Sequence, residues 1–224
     1  MFFCTVVVFL PTLSQQQPAQ PELTWSEHIR YGIPGNTDRI LDKQYFIIGY
    51  KDEWKIPEWV LYSVTKQELR DTTPRLRNFK PDPQLPPAIG AQPSDYKKSG
   101  YDQGHMAPAT DFKRSKEAMA TTFLLSNVAP QTDKLNERIW NKLEGQVRSK
   151  VKKSGKAWIV TGNVFLDDNW KPVPPEKFIG MDNVAVPDYC FKVILTEQVG
   201  GIHEILNTIL TFFTTTKERL EARQ

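Results

Sequence analysis

Three neighbouring segments decide how this chain folds: YDQGHMAPATDF at 101–112, SNVAPQ at 126–131 and LNERIWNKLE at 135–144. The first segment holds His105 directly after Gly104, and the third places Asn136 and Glu144 eight residues apart. The apolar residues of the third segment recur every four positions and continue to Val151, which predicts an amphipathic helix. The rest of the chain is expected to serve as a scaffold for these segments.

Short apolar, β-branched and aromatic runs predict the strands of that scaffold. These predicted strands cover residues 45–50, 59–64, 157–161, 183–187 and 189–195. Residues 51–58 would connect the first two strands as a hairpin. A helical turn is predicted at 65–69 and a helix at 115–122, and residues 123–126 read as a strand end.

Two segments are less regular. Residues 75–87 contain four prolines, which rules out a regular helix or ladder and predicts a long loop. Such a loop in a compact domain is more often functional. Beyond Leu195 the pattern weakens: 205–213 fits an apolar helix or a strand, and 217–224 reads as a charged helical tail.

The composition is that of a globular protein. The chain has 224 residues, of which 39% are hydrophobic and 25% charged, so one large domain with a sizeable core is expected. The net charge of +3 permits an anionic partner but does not by itself indicate nucleic acid.

The first residues carry no charge and are mostly apolar. Residues 2–13 are too short to span a bilayer, and we interpret residues 1–14 as a secretory signal peptide. This predicts a secreted or periplasmic protein, although the missing basic residues are atypical; an unstructured apolar terminus is the alternative. Residues 15–24 would form a linker and 25–224 a single domain. Cleavage would leave Cys190 as the only cysteine, so no intrachain disulfide would form.

His105 is the candidate for acid–base chemistry. Hydrolysis of a phosphodiester needs an activated water, and histidine is the usual side chain that takes up a proton near neutral pH. Of the three histidines, His105 alone has a glycine-flanked, polar, loop-like setting. Asp102 is placed to orient the imidazole or its loop. A lone histidine is more often a structural turn residue, and that alternative stays open.

Asn136 and Glu144 are the candidate metal-side residues. In an α-helix they lie about 80° apart around the axis and about 12 Å apart along it, beside the apolar stripe. Both could not easily bind one ion directly, but Glu144 could do so through a bound water. Amide and carboxylate oxygens suit Mg²⁺. A solvated polar helix face is the alternative.

Three further residues are candidates for phosphate contacts. Asn127 would bind a phosphate or hold a loop. Arg75 and Arg77 lie in the proline-rich segment, and a planar guanidinium is well suited to clamp a phosphate. Their structural alternatives are a turn residue and surface arginines.

Together these motifs resemble the DNA/RNA non-specific endonuclease family, whose members have a ββα-metal (His-Me finger) site. The resemblance runs from about residue 45 to 195. It implies an α+β fold in which helices pack on a central mixed or antiparallel sheet. It also implies Mg²⁺-dependent hydrolysis of DNA and RNA to 5′-phosphate ends, with Mn²⁺ as an alternative ion. A homodimer and a protein inhibitor are the partners that this resemblance suggests.

The resemblance also implies roles for individual residues. His105 would be the general base, Asn136 the metal ligand, and Glu144 the residue that holds a metal-bound water. Asn127 would support the site, and Arg75 would bind phosphate, with Arg77 as the second choice.

Two features depart from the family pattern. Gln103 stands where the family usually has arginine, and the segment after 195 is atypical. The glutamine motivates one rival function, a pseudo-nuclease that binds nucleic acid without cutting it. A second rival is a metal-dependent phosphodiesterase for another substrate.

Overall fold

The computed structural model describes residues 27–70, 72–196 and 209–214. The strands in these residues are β1 (Arg39–Asp42), β2 (Ile47–Lys51), β3 (Ile56–Thr65), β4 (Asp102–His105), β5 (Val128–Gln131), β6 (Lys156–Val164), β7 (Phe178–Ile179), β8 (Val184–Ala185), β9 (Tyr189–Thr196) and β10 (Ile209–Thr214). The helices are α1 (Pro93–Tyr96), α2 (Lys116–Thr122) and α3 (Asn141–Ser154), with a π-helical turn (Lys134–Trp140) directly before α3. Short 3₁₀ turns cover Glu27–Ile29, Glu68–Arg70, Ala109–Phe112 and Leu125–Asn127.

Six strands form the central sheet in the order β1-β2-β3-β6-β9-β10, and every neighbouring pair is antiparallel. The strands β3, β6 and β9 lie in the middle and consist largely of buried residues. The predicted α+β fold is therefore confirmed, and of the two sheet types that the sequence allowed, the antiparallel one is present.

The main core lies on one face of this sheet. Leu143, Val147 and Val151 form the buried stripe of α3, as the four-residue spacing predicts, and they belong to the same cluster as Tyr62 and Ile159 of the sheet. A smaller cluster around Ile47, Trp59 and Leu61 covers the other face. The apolar stripe of α3 is what holds this helix, and with it the polar residues on its flank, against the sheet.

The motifs at 101–144 form a ββα unit. Strand β4 pairs with β5 in antiparallel register from Asp102↔Gln131 to His105↔Val128. The π-helical turn and α3 follow β5 directly. Helix α3 ends at Gly155, whose φ of 91° suits a residue without a β-carbon.

Two element predictions need correction, and one open alternative is resolved. Residues 123–126 are not a strand end: Phe123 follows α2, Leu125–Asn127 forms a 3₁₀ turn, and β5 begins only at Val128. The predicted strand at 183–187 shortens to β8, which pairs with β7 outside the central sheet. Of the two alternatives for 205–213, residues 209–214 adopt the strand and extend the sheet beyond β9.

Several predictions fall outside the described residues. These include the signal peptide at 1–14, the linker at 15–24 and the helical tail at 217–224. The single domain at 25–224 therefore stays a prediction. Within the described residues, no helix has the length and apolar character needed to cross a membrane.

Candidate active site

One cavity brings together the residues that the sequence singled out. Arg75, His105, Asn136 and Glu144 all line it, and its volume is about 290 Å³. Asn141 and Glu137 of the same helical segment and residues 108–110 complete the lining. Strand β4, the proline-rich loop and the helix after β5 thus each contribute a polar side chain to a single concave site.

His105 does not have the polar, loop-like setting that its glycine neighbour suggested. It ends strand β4, its exposed fraction is only 7%, and its ring packs against Phe79 and Phe123. Burial, with a smaller contribution from the positive charge of Arg75, lowers the pKa of His105 to about 3. The imidazole is therefore neutral at physiological pH, so its ring nitrogens carry one proton and one free lone pair.

The two nitrogens of His105 differ in their surroundings. Nε2 is enclosed and has no hydrogen-bond partner among the described residues. An imidazole has only two nitrogens, so Nδ1 is the atom left to accept a proton from a water in the cavity.

Gly104 is required by packing against the neighbouring strand rather than by a sharp turn. A β-carbon at this position would lie 2.3 Å from Cδ and Oε1 of Gln131 on β5. Gln131 is fully buried, and its Nε2 donates a hydrogen bond to Cys190 Sγ at 3.4 Å. The glycine therefore lets β4 and β5 approach closely, which fixes the position of His105 at the end of β4.

We expect Gly104→Ala to lower the free energy of unfolding by about 1–3 kcal/mol, because the added methyl overpacks a buried site. Urea denaturation measures this change. Gly35→Ala is the matched control, since a β-carbon there meets nothing within 4 Å. A second substitution, Gln131→Ala, should restore part of the loss; no recovery would contradict the packing explanation.

Asp102 contacts Asn136 instead of orienting the imidazole. Asn136 Nδ2 donates a hydrogen bond to Asp102 Oδ2 at 3.1 Å. A carboxylate only accepts hydrogen bonds, so it must face the NH₂ group of the amide. The amide oxygen Oδ1 then remains available as a ligand, and Asn136 lines the cavity.

Removing this support should weaken metal binding. We expect Asp102→Ala to lower the affinity for the metal by about 10–100-fold, the usual effect of losing a group that orients a ligand. Asp102→Asn keeps an acceptor oxygen and should lose less. Mn²⁺ titration of the folded variants provides the measurement, and equal affinities for all three proteins would contradict the role of Asp102.

The helix that carries Asn136 and Glu144 is not a regular α-helix throughout. Lys134–Trp140 is π-helical, so the angle of 80° that an α-helix predicts does not apply to this pair. Both side chains nevertheless line the cavity. A π-helical turn often marks a functional site, and nothing in the apolar spacing indicated it.

Glu144 belongs to a group of buried charges behind the cavity. Arg148 NH1 lies 3.8 Å from Glu144 Oε2 and donates to Asp111 Oδ1 at 3.2 Å, and Tyr62 donates to the other oxygen of Asp111 at 3.0 Å. Lys192 is fully buried and lies 4.9 Å from the Trp140 ring. Burial raises the pKa of Glu144 to about 7, whereas the charges of Lys192 and Arg148 lower it.

Neither Arg148 nor Lys192 was among the candidate residues. Arg148 could have been found from its spacing, because residues four apart on a helix are neighbours and can form ion pairs. Lys192 gave a weaker signal, a single lysine inside an apolar strand. Its ammonium donates a hydrogen bond to Thr161 Oγ1 at 2.6 Å.

Asn127 supports the site from behind and does not line the cavity. It is fully buried, its Oδ1 accepts from Ala107 N at 2.9 Å, and its Nδ2 donates to the carbonyls of Ala107 and Thr122. These bonds fix the chain just after His105. Of the two alternatives, holding a loop is the one that the structure supports, because no phosphate can reach this side chain.

Of the two candidate arginines, one lines the cavity and the other does not. Arg75 is exposed to solvent but lines the cavity and acts electrostatically on His105. Arg77 is exposed and is not among the residues that line the cavity. Gln103 lies half-buried in β4 opposite Pro130, also outside the cavity lining.

Comparison with known proteins decides the family. The sequence matches the family described as DNA/RNA non-specific endonuclease over residues 25–222. The chain belongs to this family. The resemblance seen in the motifs is thereby confirmed, and the family is one of metal-dependent nucleases, which are hydrolases.

Individual relatives agree with the assignment to this family. The sequence is 38% identical over 155 residues to the human protein named nuclease EXOG, mitochondrial. This match covers 67% of this chain and 42% of the relative. It is 33% identical to human endonuclease G, mitochondrial, over 82% of this chain and 63% of the relative. A yeast mitochondrial nuclease is 36% identical over 77% of this chain and 55% of the relative. The chain thus spans about half the length of these proteins.

The fold is also similar to a solved structure. An EndoG protein in a crystal structure of an EndoG/EndoGI complex superposes with a TM-score of 0.70 and 31% sequence identity. The superposition covers 77% of this chain and 73% of that one.

The predicted location is wrong. The charge-free apolar start suggested a secreted or periplasmic protein, but the relatives that the chain matches are named as mitochondrial. An apolar run of this length does not by itself specify export, and the basic residues typical of a signal peptide are missing here.

Proposed function

We propose that this nuclease is a Mg²⁺-dependent endonuclease that hydrolyses DNA and RNA with little sequence preference and leaves 5′-phosphate ends. The observation that carries the proposal is the cavity in which Arg75, His105, Asn136 and Glu144 meet. The match to the family over residues 25–222 supports both this activity and the single domain at 25–224.

The side chains of the cavity have complementary roles in this proposal. His105 takes a proton from a water through Nδ1 as the water attacks phosphorus. Arg75 binds a non-bridging oxygen of the phosphate and lowers the cost of the developing charge. The bond from phosphorus to the 3′ oxygen breaks, so the phosphate stays on the 5′ side. Asn127 keeps the chain after His105 in place.

The residues present fit a hard cation. Asp102 turns the amide oxygen of Asn136 toward the cavity, and the carboxylate of Glu144 lies on the same side. Asn136 would be the direct ligand and Glu144 would hold a metal-bound water. When bound, Mg²⁺ would neutralise phosphate charge and supply a water that can protonate the leaving oxygen.

The cavity favours the nucleic acid backbone as the part that is recognised. Arg75 offers a guanidinium suited to phosphate, and contacts to phosphate carry no sequence information. This supports a substrate range that includes both DNA and RNA.

The test uses supercoiled plasmid, RNA and a small chromogenic phosphodiester, each with Mg²⁺, with Mn²⁺ and with EDTA. We expect both nucleic acids to be cut with either ion and neither to be cut in EDTA. Hydrolysis of the small diester with no competition by plasmid would favour the phosphodiesterase alternative. A folded protein that cuts none of them would contradict the proposal.

Gln103 is the observation that favours a second candidate, a pseudo-nuclease that binds nucleic acid without cutting it. Glutamine can donate hydrogen bonds but cannot neutralise phosphate. We expect the wild-type protein to cut, and Gln103→Arg to raise kcat/KM by about tenfold through the added charge. Binding of DNA by the wild type with cleavage only in Gln103→Arg would support the pseudo-nuclease instead.

We also infer a mitochondrial location and two partners from the relatives. The location is supported by the names of the EXOG and endonuclease G relatives, and cell fractionation tests it. A protein inhibitor is supported by the EndoG/EndoGI complex. A homodimer remains a prediction, which sedimentation equilibrium of the purified chain would test.

A further inference from the structure

Two phenylalanines enclose the imidazole of His105. The ring centroid of His105 lies 4.9 Å from that of Phe79 and 4.8 Å from that of Phe123, and the two phenylalanines lie 4.9 Å from each other. The contact with Phe123 is edge to face, with an interplanar angle of 85°. We call these two side chains the aromatic clamp.

The clamp draws on two separate parts of the chain. Phe123 follows helix α2 and is only 2% exposed. Phe79 comes from the proline-rich loop, residues 75–87, which also carries Arg75. The clamp therefore depends on how this loop is docked.

Backbone hydrogen bonds fix the docking beside the clamp. Lys80 N donates to Phe123 O at 3.0 Å, and Leu125 N donates to Lys80 O at 2.9 Å. Farther along the loop, the carboxylate of Asp82 accepts a hydrogen bond from Ser126 and pairs with Lys43. The loop is thus tied to the segment between α2 and β5 at Lys80 and at Asp82.

We propose that Phe79 and Phe123 are positioning residues that hold the His105 imidazole in its proton-accepting orientation. The docked loop then places the base and the phosphate-binding Arg75 together. This inference rests on the proposed role of His105 as the general base.

Two features of the ring support it. The rings of the clamp pack on an imidazole whose Nε2 is enclosed and has no hydrogen-bond partner among the described residues, which leaves Nδ1 as the nitrogen that can serve the cavity. The clamp also excludes water and contributes no charge; Arg75 is the charged group that acts on His105 within the described part of the chain. A ring held in this way stays neutral and keeps one orientation between turnovers.

The test compares Phe79→Leu and Phe123→Leu with Phe165→Leu, a core phenylalanine that packs on Trp54. Leucine keeps an apolar side chain but removes the aromatic ring. We expect each clamp variant to lower kcat by about 10–100-fold with little change in KM, since a small misplacement of a catalytic group has that effect. Phe79→Tyr keeps an aromatic ring and should retain most of the wild-type kcat. The control Phe165→Leu should retain the wild-type kcat as well.

A second readout separates positioning from a loss of stability. Nitrogen-15 spectra of the histidines report the protonation of His105, which His105→Gln identifies. In the wild type, His105 should stay neutral from pH 8 to about 5, because its pKa is about 3. In the clamp variants its pKa should rise toward the ordinary value of 6.5, so the ring gains a proton and kcat falls as the pH drops below about 6.5.

Both readouts are required. The positioning role would be overturned if the clamp variants kept the kcat of Phe165→Leu or changed only in KM. It would also be overturned if their His105 spectrum were like that of the wild type. Failure of the proposed function has a different signature, which is wild-type cleavage by His105→Gln.

Discussion

Replacing His105 by alanine is expected to lower kcat by about 10²–10⁴-fold, the range that a general base contributes. Among the described residues, His105 is the only histidine that lines the cavity, and burial keeps its imidazole neutral. KM should change little, because the phosphate contact is made by Arg75. Single-turnover cleavage of a defined oligonucleotide measures the rate of the chemical step directly.

The control for this prediction is His28→Gln. His28 bonds to Ser63 on β3 at 3.0 Å and does not line the cavity, so its substitution should leave the chemical step intact. Free imidazole added to His105→Ala should restore part of the activity. A folded His105→Ala protein that cuts at the wild-type rate would show that His105 is not the general base.

Breaking the buried Lys43–Asp82 pair is expected to have the largest effect on stability. The side chain of Lys43 is 4% exposed and that of Asp82 is not exposed at all. Lys43→Met leaves a buried carboxylate without its counter-charge, which should lower the free energy of unfolding by about 3–5 kcal/mol. Urea denaturation provides the measurement.

The matched control is Lys51→Met, which breaks a surface pair with Asp38. Those side chains are 30% and 38% exposed, so the loss should stay at or below about 1 kcal/mol. Replacing both partners, in Lys43→Met with Asp82→Leu, should recover much of the stability because no charge is then left unpaired. Equal losses for Lys43→Met and Lys51→Met would show that burial does not matter here.

The sequence predicted the elements whose periodicity is strong. Leu143, Val147 and Val151 identified helix α3 because a buried helix face repeats every three to four residues. The central strands were found because fully buried strands are continuous apolar runs. The strand at 209–214 stayed ambiguous with a helix, since a short apolar run fits both until a neighbouring strand is known.

The sequence singled out residues that line the cavity, but it did not predict the contacts around them. His105, Asn136 and Glu144 stand out by residue type and spacing. The aromatic enclosure of His105 was missed because Phe79 and Phe123 are distant in sequence and have no spacing that links them to it. The bond between Asp102 and Asn136 was missed for the same reason, because 34 residues separate the two. Such contacts depend on tertiary packing, which local pattern does not encode.

The most direct test of the proposed metal site measures metal occupancy and cleavage in one sample. Mn²⁺ is added to the metal-free protein with plasmid, and bound ion and cut product are measured together. We expect both to saturate in parallel at one ion per chain, and a folded Asn136→Ala variant to lose both. Cleavage before any ion binds, or wild-type Mn²⁺ binding by Asn136→Ala, would contradict a metal-dependent nuclease site built on Asn136.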